Sequence, residues 1–140
     1  AYTCEKDDPA YIVDLATLTG GVIVALGSTF AGLFCEDDAL RARVEAAAST
    51  SGERVWRLPM HREYTEMMKS PIADILNSNP NRKAHAGQGA AFLASFVKEG
   101  TPWCHLDIAG VHVSESDGGM YAKGSTGWGV RLLADLLADA

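Results

Sequence analysis

Apolar and polar positions alternate between two periods along this chain. Tyr11-Ile12-Val13 is a short apolar, β-branched run bounded by turn residues, which predicts a buried strand. It continues through Asp14 and the threonines Thr17 and Thr19 to Gly20-Gly21, where glycine permits a sharp turn. Val22–Leu26, stopped by Gly27, predicts a short buried helix. Phe30–Cys35 reads as a second strand. Asp37 or Asp38 then caps a helix whose Leu40, Val44, Ala47 and Ala48 recur at the spacing of one buried face, with Gly52 as its stop.

Farther on, Val55–Pro59 is extended, because Pro59 disfavours helix in the residue before it. His61–Lys69 predicts an amphipathic helix with Tyr64, Met67 and Met68 on one face, where the methionines read as core. Ser70–Gly89, rich in Pro, Asn and Gly, predicts loop. Ala90, Leu93, Ala94 and Val97 mark a further helix. Trp103–Ile108 predicts a strand that turns at Ala109-Gly110. The five glycines of Gly118–Gly129 predict loop, and a closing helix over Thr126–Asp139 should bury Val130, Leu133, Ala134 and Leu137. Ala1–Lys6 has no start signal and reads as the tail of a helix that begins upstream. Strands alternating with helices predict an α/β fold, a three-layer sandwich with helices on both faces of a mixed, mostly parallel sheet.

Composition narrows the function classes. The chain has 140 residues, 47% hydrophobic and 21% charged, with a net charge of −6. That balance is globular and gives no basic face for nucleic acid or an anionic membrane. Arg82-Lys83 reads as a solvated loop rather than a phosphate site. The three cysteines, Cys4, Cys35 and Cys104, share no short spacing, which suits a reducing compartment and free thiols. Leu15–Cys35 is uncharged, but its glycines, threonines and missing basic anchors argue against a membrane span.

Catalytic signatures are sparse. Gly87-Gln88-Gly89 lacks the third glycine and the preceding strand of a dinucleotide fingerprint, and Lys123–Thr126 has phosphate-loop letters in the wrong order. Neither H-E-x-x-H nor paired cysteines occur. His105 and Asp107 lie two apart on a strand and share a face; a metal pair or an Asp–His dyad competes there with a histidine satisfied by its neighbouring carboxylate, and the last is favoured. Asp14, Asp107 and Asp74 read as buried carboxylates that anchor networks. The Thr17–Gly20 bend is different. It lies at the carboxyl end of a predicted strand, where open α/β sheets bind ligands.

An ordered series of blocks resembles the cytosolic leucyl aminopeptidase family. The blocks are Asp14-Leu15-Ala16-Thr17-Leu18-Thr19-Gly20, Ala25-Leu26-Gly27, Glu53–Pro59, Ser70 with Ala73-Asp74, Ala90–Leu93 and Trp103–Gly110. They span nearly the whole chain in the family's order. The resemblance implies that residues 1–140 are the C-terminal portion of the catalytic domain of a metal-dependent aminopeptidase. Such enzymes are homohexameric and cytoplasmic, and two divalent ions, Zn or Mn, activate a water against the first peptide bond. The family's N-T-D-A-E-G-R-L-like metal-ligand motif does not occur in this sequence, so the expectation is that this chain alone holds no metal and is inactive. The resemblance also implies that Thr17, Leu18, Thr19 and Gly20 line the site for peptide substrates. Ala109 would help floor the side-chain pocket, with His112 beside that floor in place of an apolar residue. The alternative is a non-catalytic fragment, or an assembly or interaction module of the same fold; a DNA-binding role is disfavoured by the negative charge.

Overall fold

The computed structural model describes residues 1–138. Its element order is α1 (Tyr2–Lys6), β1 (Ile12–Ala16), α2 (Gly20–Leu26), β2 (Ala31–Cys35), α3 (Asp38–Ser51), β3 (Val55–Arg57), α4 (Arg62–Glu66), α5 (His85–Ala94), β4 (Trp103–Asp107), β5 (Val113–Ser114), β6 (Gly124–Ser125) and α6 (Val130–Ala138). One sheet has the strand order β1-β4-β2-β3. β1 runs parallel to β4 and β2 parallel to β3, while β2 and β4 are antiparallel. The sheet is therefore mixed and mostly parallel, as the alternating pattern predicts. β5 and β6 form a separate two-stranded ribbon.

The larger core lies on one face of the sheet. Ala31, Leu33 and Cys35 of β2 and Cys104 and Leu106 of β4 project into it, as alternate strand positions must. α3 covers them with Leu40, Val44, Ala47 and Ala48, and α6 with Leu132 and Leu136. α3 starts where its sequence says it should: the Asp37 side chain accepts a hydrogen bond from the Leu40 N–H at 2.8 Å, and Gly52 closes the helix in the left-handed region. On the opposite face α2 packs on β2 and on α5. Gly32 makes that approach possible, since a Cβ there would lie 2.8 Å from Val22 Cγ2. The three layers of the expected fold are present.

Several expected faces are corrected. α2 is not a buried helix: Val22 is its one buried residue, and Val24 is 90% exposed. An unbroken apolar run carries no period, so it cannot show which side turns inward. In α6 the inward residues are Leu132 and Leu136, whereas Val130, Ala134 and Leu137 are exposed and Leu133 is partly buried. Asp139 of the expected helix lies outside the described residues. α5 begins at His85 rather than Ala90, because Gly87 and Gly89 are contact points and not turns. A Cβ at Gly87 would meet the Tyr64 ring at 2.7 Å, and one at Gly89 would meet Thr19 Cγ2 at 2.7 Å. The inward face of α5 is Gly87, Gln88, Ala90 and Ala91, with Leu93, Ala94 and Val97 half-buried. α4 is a short helix, followed by the buried Met68. The expected Gly118–Gly129 loop contains β6. Asp74 is exposed, not a buried anchor.

One buried carboxylate holds the α6 end of the molecule. Glu53, 1% exposed, accepts hydrogen bonds from the N–H groups of Gly129 (3.0 Å) and Leu132 (2.9 Å) and from the Tyr121 hydroxyl (3.2 Å). It thus caps the free N–H groups at the start of α6 from the end of α3. Burial, then the charge of Glu53, raises the Tyr121 phenol above its ordinary value, with Arg131 opposing. Glu53→Ala should leave those buried donors unpaired and cost about 2–4 kcal/mol. Urea unfolding of the intact protein checks this, and a loss below about 0.5 kcal/mol would contradict the capping role.

Candidate functional site

The site forms where β1 and β4 end together. The two strands are parallel and paired in register from Ile12↔Trp103 to Ala16↔Asp107, and the Ile108 N–H extends the ladder to the Ala16 carbonyl at 2.9 Å. Both chains therefore leave the sheet at the same place. β1 leaves through Thr17-Leu18-Thr19 into α2, and β4 through Ile108-Ala109-Gly110.

Asp107 joins these two exits. Its side chain is fully buried. Oδ1 accepts from the N–H groups of Leu18 (3.1 Å), Thr19 (3.4 Å) and Ala109 (3.2 Å), and Oδ2 accepts from the Thr19 hydroxyl at 2.7 Å. The same Thr19 oxygen accepts from the Val22 N–H at 3.1 Å and so caps α2. One carboxylate thereby fixes the bend, the start of α2 and the turn after β4. The turn is also packed closely against α2's end: a Cβ on Gly110 would sit 2.0 Å from the Gly27 carbonyl oxygen.

The consequences for ligand-facing groups follow directly. Thr17, Leu18 and Gly20 are exposed, while Thr19 is buried as a tether. Asp107 uses the Leu18 N–H, so what Leu18 can offer a ligand is its carbonyl. Gly20 is the first residue of α2, so its N–H has no helical carbonyl to bond. A Cβ at Gly20 would meet nothing within 4 Å.

Two cavities flank α2. One of about 620 Å³ is lined by Gly20, Gly21, Val24, Leu58, Tyr64 and His85, among others. The other, of about 800 Å³, is lined by Ile23, Arg54, Ala109, His112, Tyr121 and Trp128, among others. The structure thus brings Thr17–Gly20 and Ala109 to one sheet end but places Gly20 and His112 in separate cavities. His112 is exposed, and its Nδ1 lies 2.9 Å from the Ala109 carbonyl oxygen.

His105 does not pair with Asp107. It is fully buried, with its Nδ1 2.6 Å from Oδ1 of Asp14 on the neighbouring strand, and Asp14 Oδ2 accepts from the Trp103 indole at 2.6 Å. The His105 ring stacks between Phe34 and Trp103. The expectation of a histidine satisfied by its neighbouring carboxylate is corrected: the partner is Asp14 on the adjacent strand, not Asp107, and it satisfies Nδ1 alone, while Nε2 is buried without a hydrogen-bond partner among the described residues. Asp107 is the buried network anchor that was expected; Asp14 also anchors a network, but it is half-buried rather than buried.

Sequence reasoning missed two anchors, Glu53 and Gln88. Buried Gln88 donates to the carbonyls of Asn81 (2.7 Å) and Lys83 (2.6 Å), closing the loop onto α5. Its position inside Gly87–Gly89 marked a turn and hid it.

Among the described residues, no group of three or more His, Cys, Asp or Glu side chains could hold a metal ion. The residues present do not fit a dinuclear metal centre.

The pinned bend lies at the carboxyl end of a parallel strand pair, the place where open α/β sheets bind ligands. The family model described as "Cytosol aminopeptidase family, catalytic domain" matches residues 1–134. This chain belongs to that family. It is 49% identical over 138 residues to a probable cytosol aminopeptidase of Cereibacter sphaeroides, a match covering 99% of this chain and 28% of that protein. It is 42% identical over 139 residues to the cytosol aminopeptidase of Rickettsia prowazekii, covering 99% and 28%. A mutant of tomato leucine aminopeptidase superposes with a TM-score of 0.90 at 42% identity, covering 99% of this chain and 26% of that one. The chain spans about a quarter of the length of the relatives it matches.

Asp107→Ala should unpin the bend and cost about 3–5 kcal/mol, the range for an anchor whose loss strands buried donors. Asp107→Asn keeps one accepting oxygen and should cost about 1–2 kcal/mol. Denaturant unfolding of both variants in the intact protein checks the order; equal, small losses would show that the bend does not need the carboxylate.

Proposed function

We propose that the intact protein is a metal-dependent aminopeptidase that releases N-terminal amino acids, leucine-like ones preferred, from peptides. This chain supplies the substrate pocket and not the metal centre. The observation that carries the reading is the bend at Leu18–Gly20, pinned from beneath by Asp107 and open above. Family membership supports peptide hydrolysis as the reaction class. The divalent ions, Zn or Mn, belong in this reading to the larger part of the protein that the relatives possess, and no step through them is assigned to residues 1–140. The family's homohexamer and cytoplasmic setting are part of the same proposal. Among the described residues no helix is long and apolar enough to cross a membrane.

The residues of this chain contribute binding and orientation. The exposed Leu18 carbonyl can accept from a peptide N–H, and the free N–H at Gly20 can donate to a peptide carbonyl. Asp107 keeps both fixed, which lowers the entropy cost of holding the scissile bond in place. Ala109 follows β4 directly and offers a small side chain beside the bend. His112 brings a polar ring to the cavity that Ala109 lines, and would temper the preference for purely apolar side chains.

The test is turnover of a leucine anilide by the intact protein with Zn or Mn. Hydrolysis is expected, and inertness at saturating metal would contradict the proposal. Gly20→Val separates binding from folding, because a Cβ at Gly20 has open space while the larger side chain blocks the approach of a ligand to the backbone. It should weaken a leucine-like inhibitor about ten-fold or more, roughly 1.4 kcal/mol, with the unfolding midpoint nearly unchanged. Titration calorimetry reads the first quantity, and unaltered affinity would remove Gly20 from the site.

A further inference from the structure

The hydrolase reading leaves one pair of reactive side chains unused. In the antiparallel pairing of β2 with β4, Cys35 stands directly opposite Cys104. Residues so opposed share a face of the sheet, with Cα atoms about 4.5–5.5 Å apart. A disulfide spans Cα separations of about 4.4–6.8 Å, so the register places the two Cα atoms at a separation that a disulfide can bridge. Both thiols are free and buried in the core beneath α3, and the third cysteine, Cys4, lies on α1 outside that cluster.

The two sulfurs are not equivalent. The Cys104 thiol beside it holds Cys35 below the ordinary thiol range; a hydrogen bond with the Asp37 backbone and the charge of Arg41 assist, while burial and the charge of Asp37 oppose. Cys35 in turn, together with burial, pushes Cys104 upward. Cys35 Sγ donates to the Asp37 carbonyl at 3.3 Å, under the first turn of the 14-residue α3. The chain surfaces immediately afterwards, since Glu36 and Asp38 are exposed.

We propose that Cys35 and Cys104 are a latent cross-strand redox pair, closed to a disulfide by hydrogen peroxide and reopened by a dithiol. The Cys35 thiolate attacks one peroxide oxygen and the O–O bond breaks. The departing hydroxide takes up a proton to become water, leaving Cys35 as a sulfenic acid. The Cys104 sulfur then attacks the Cys35 sulfur, the S–O bond breaks, and the leaving hydroxide carries off the Cys104 proton as a second water. Two thiols are oxidised and one peroxide is reduced.

The readout is thiol chemistry, so it does not depend on the peptidase reading. The folded intact protein is exposed to hydrogen peroxide, quenched with N-ethylmaleimide, digested without reduction and analysed by mass spectrometry. A Cys35–Cys104 cross-linked peptide should accumulate, with alkylatable thiol lost at both positions together and restored by dithiothreitol. In Cys104→Ser, dimedone should label Cys35. Recovery of both residues as alkylated thiols, cross-linking only in denaturant, or equal cross-linking to Cys4 would each overturn the proposal. The wild-type measurement decides the matter even if the variant does not fold.

Discussion

The hydrogen bonds converging on Asp107 are the constraint from which the rest of the ligand-facing edge follows. A buried carboxylate must find donors, and the cost of leaving it without them is several kcal/mol. Here the donors are the backbone of Leu18 and Thr19, the Thr19 hydroxyl and the backbone of Ala109. Satisfying one side chain therefore sets the path of two loops that are 88 or more residues apart in sequence. Because Thr19 passes the same constraint on to Val22, the start of α2 is fixed as well. What remains exposed, the Leu18 carbonyl and the backbone of Gly20, is presented on a rigid base. Such pre-organisation is what a site that orients a flexible peptide requires.

The same device recurs with other partners. Glu53 does for α6 what Asp107 does for α2, reaching across from the end of α3 to cap a distant helix start. Asp14 fixes the His105 and Trp103 rings on the sheet face away from the larger core. Gln88 fastens the loop that leads into α5. Much of the specificity of this fold therefore resides in single buried or half-buried polar groups, each serving several backbone or ring partners. The apolar layers supply bulk stabilisation around them.

The four strands of the main sheet and α3 were legible because their signals are local. A β-branched run marks β1, and the Asp37 cap with the Gly52 stop frames α3. The bend at Thr17–Gly20 was also legible, through the break that two glycines make in an apolar run. The inward faces of α2 and α6 were not, since Val22–Leu26 is apolar all round and α6 offers leucines on more than one side. The start of α5 was hidden because Gly87 and Gly89 serve close packing against Tyr64 and Thr19, which a sequence cannot distinguish from turning. The partners of Glu53 and His105 lie on elements distant in the chain, and pairing of that kind has no local signature. The family resemblance pointed to Thr17–Gly20, Ala109 and His112 as pocket residues, but the division of Gly20 and His112 between two cavities is a property of the folded chain.

The most direct measurement is a crystal structure of the intact protein with a leucine-like aminopeptidase inhibitor. The account predicts the inhibitor's backbone against the Leu18 carbonyl and the Gly20 N–H, with the Asp107 hydrogen bonds intact beneath it. An inhibitor bound elsewhere, with the Thr17–Gly20 bend untouched, would contradict it.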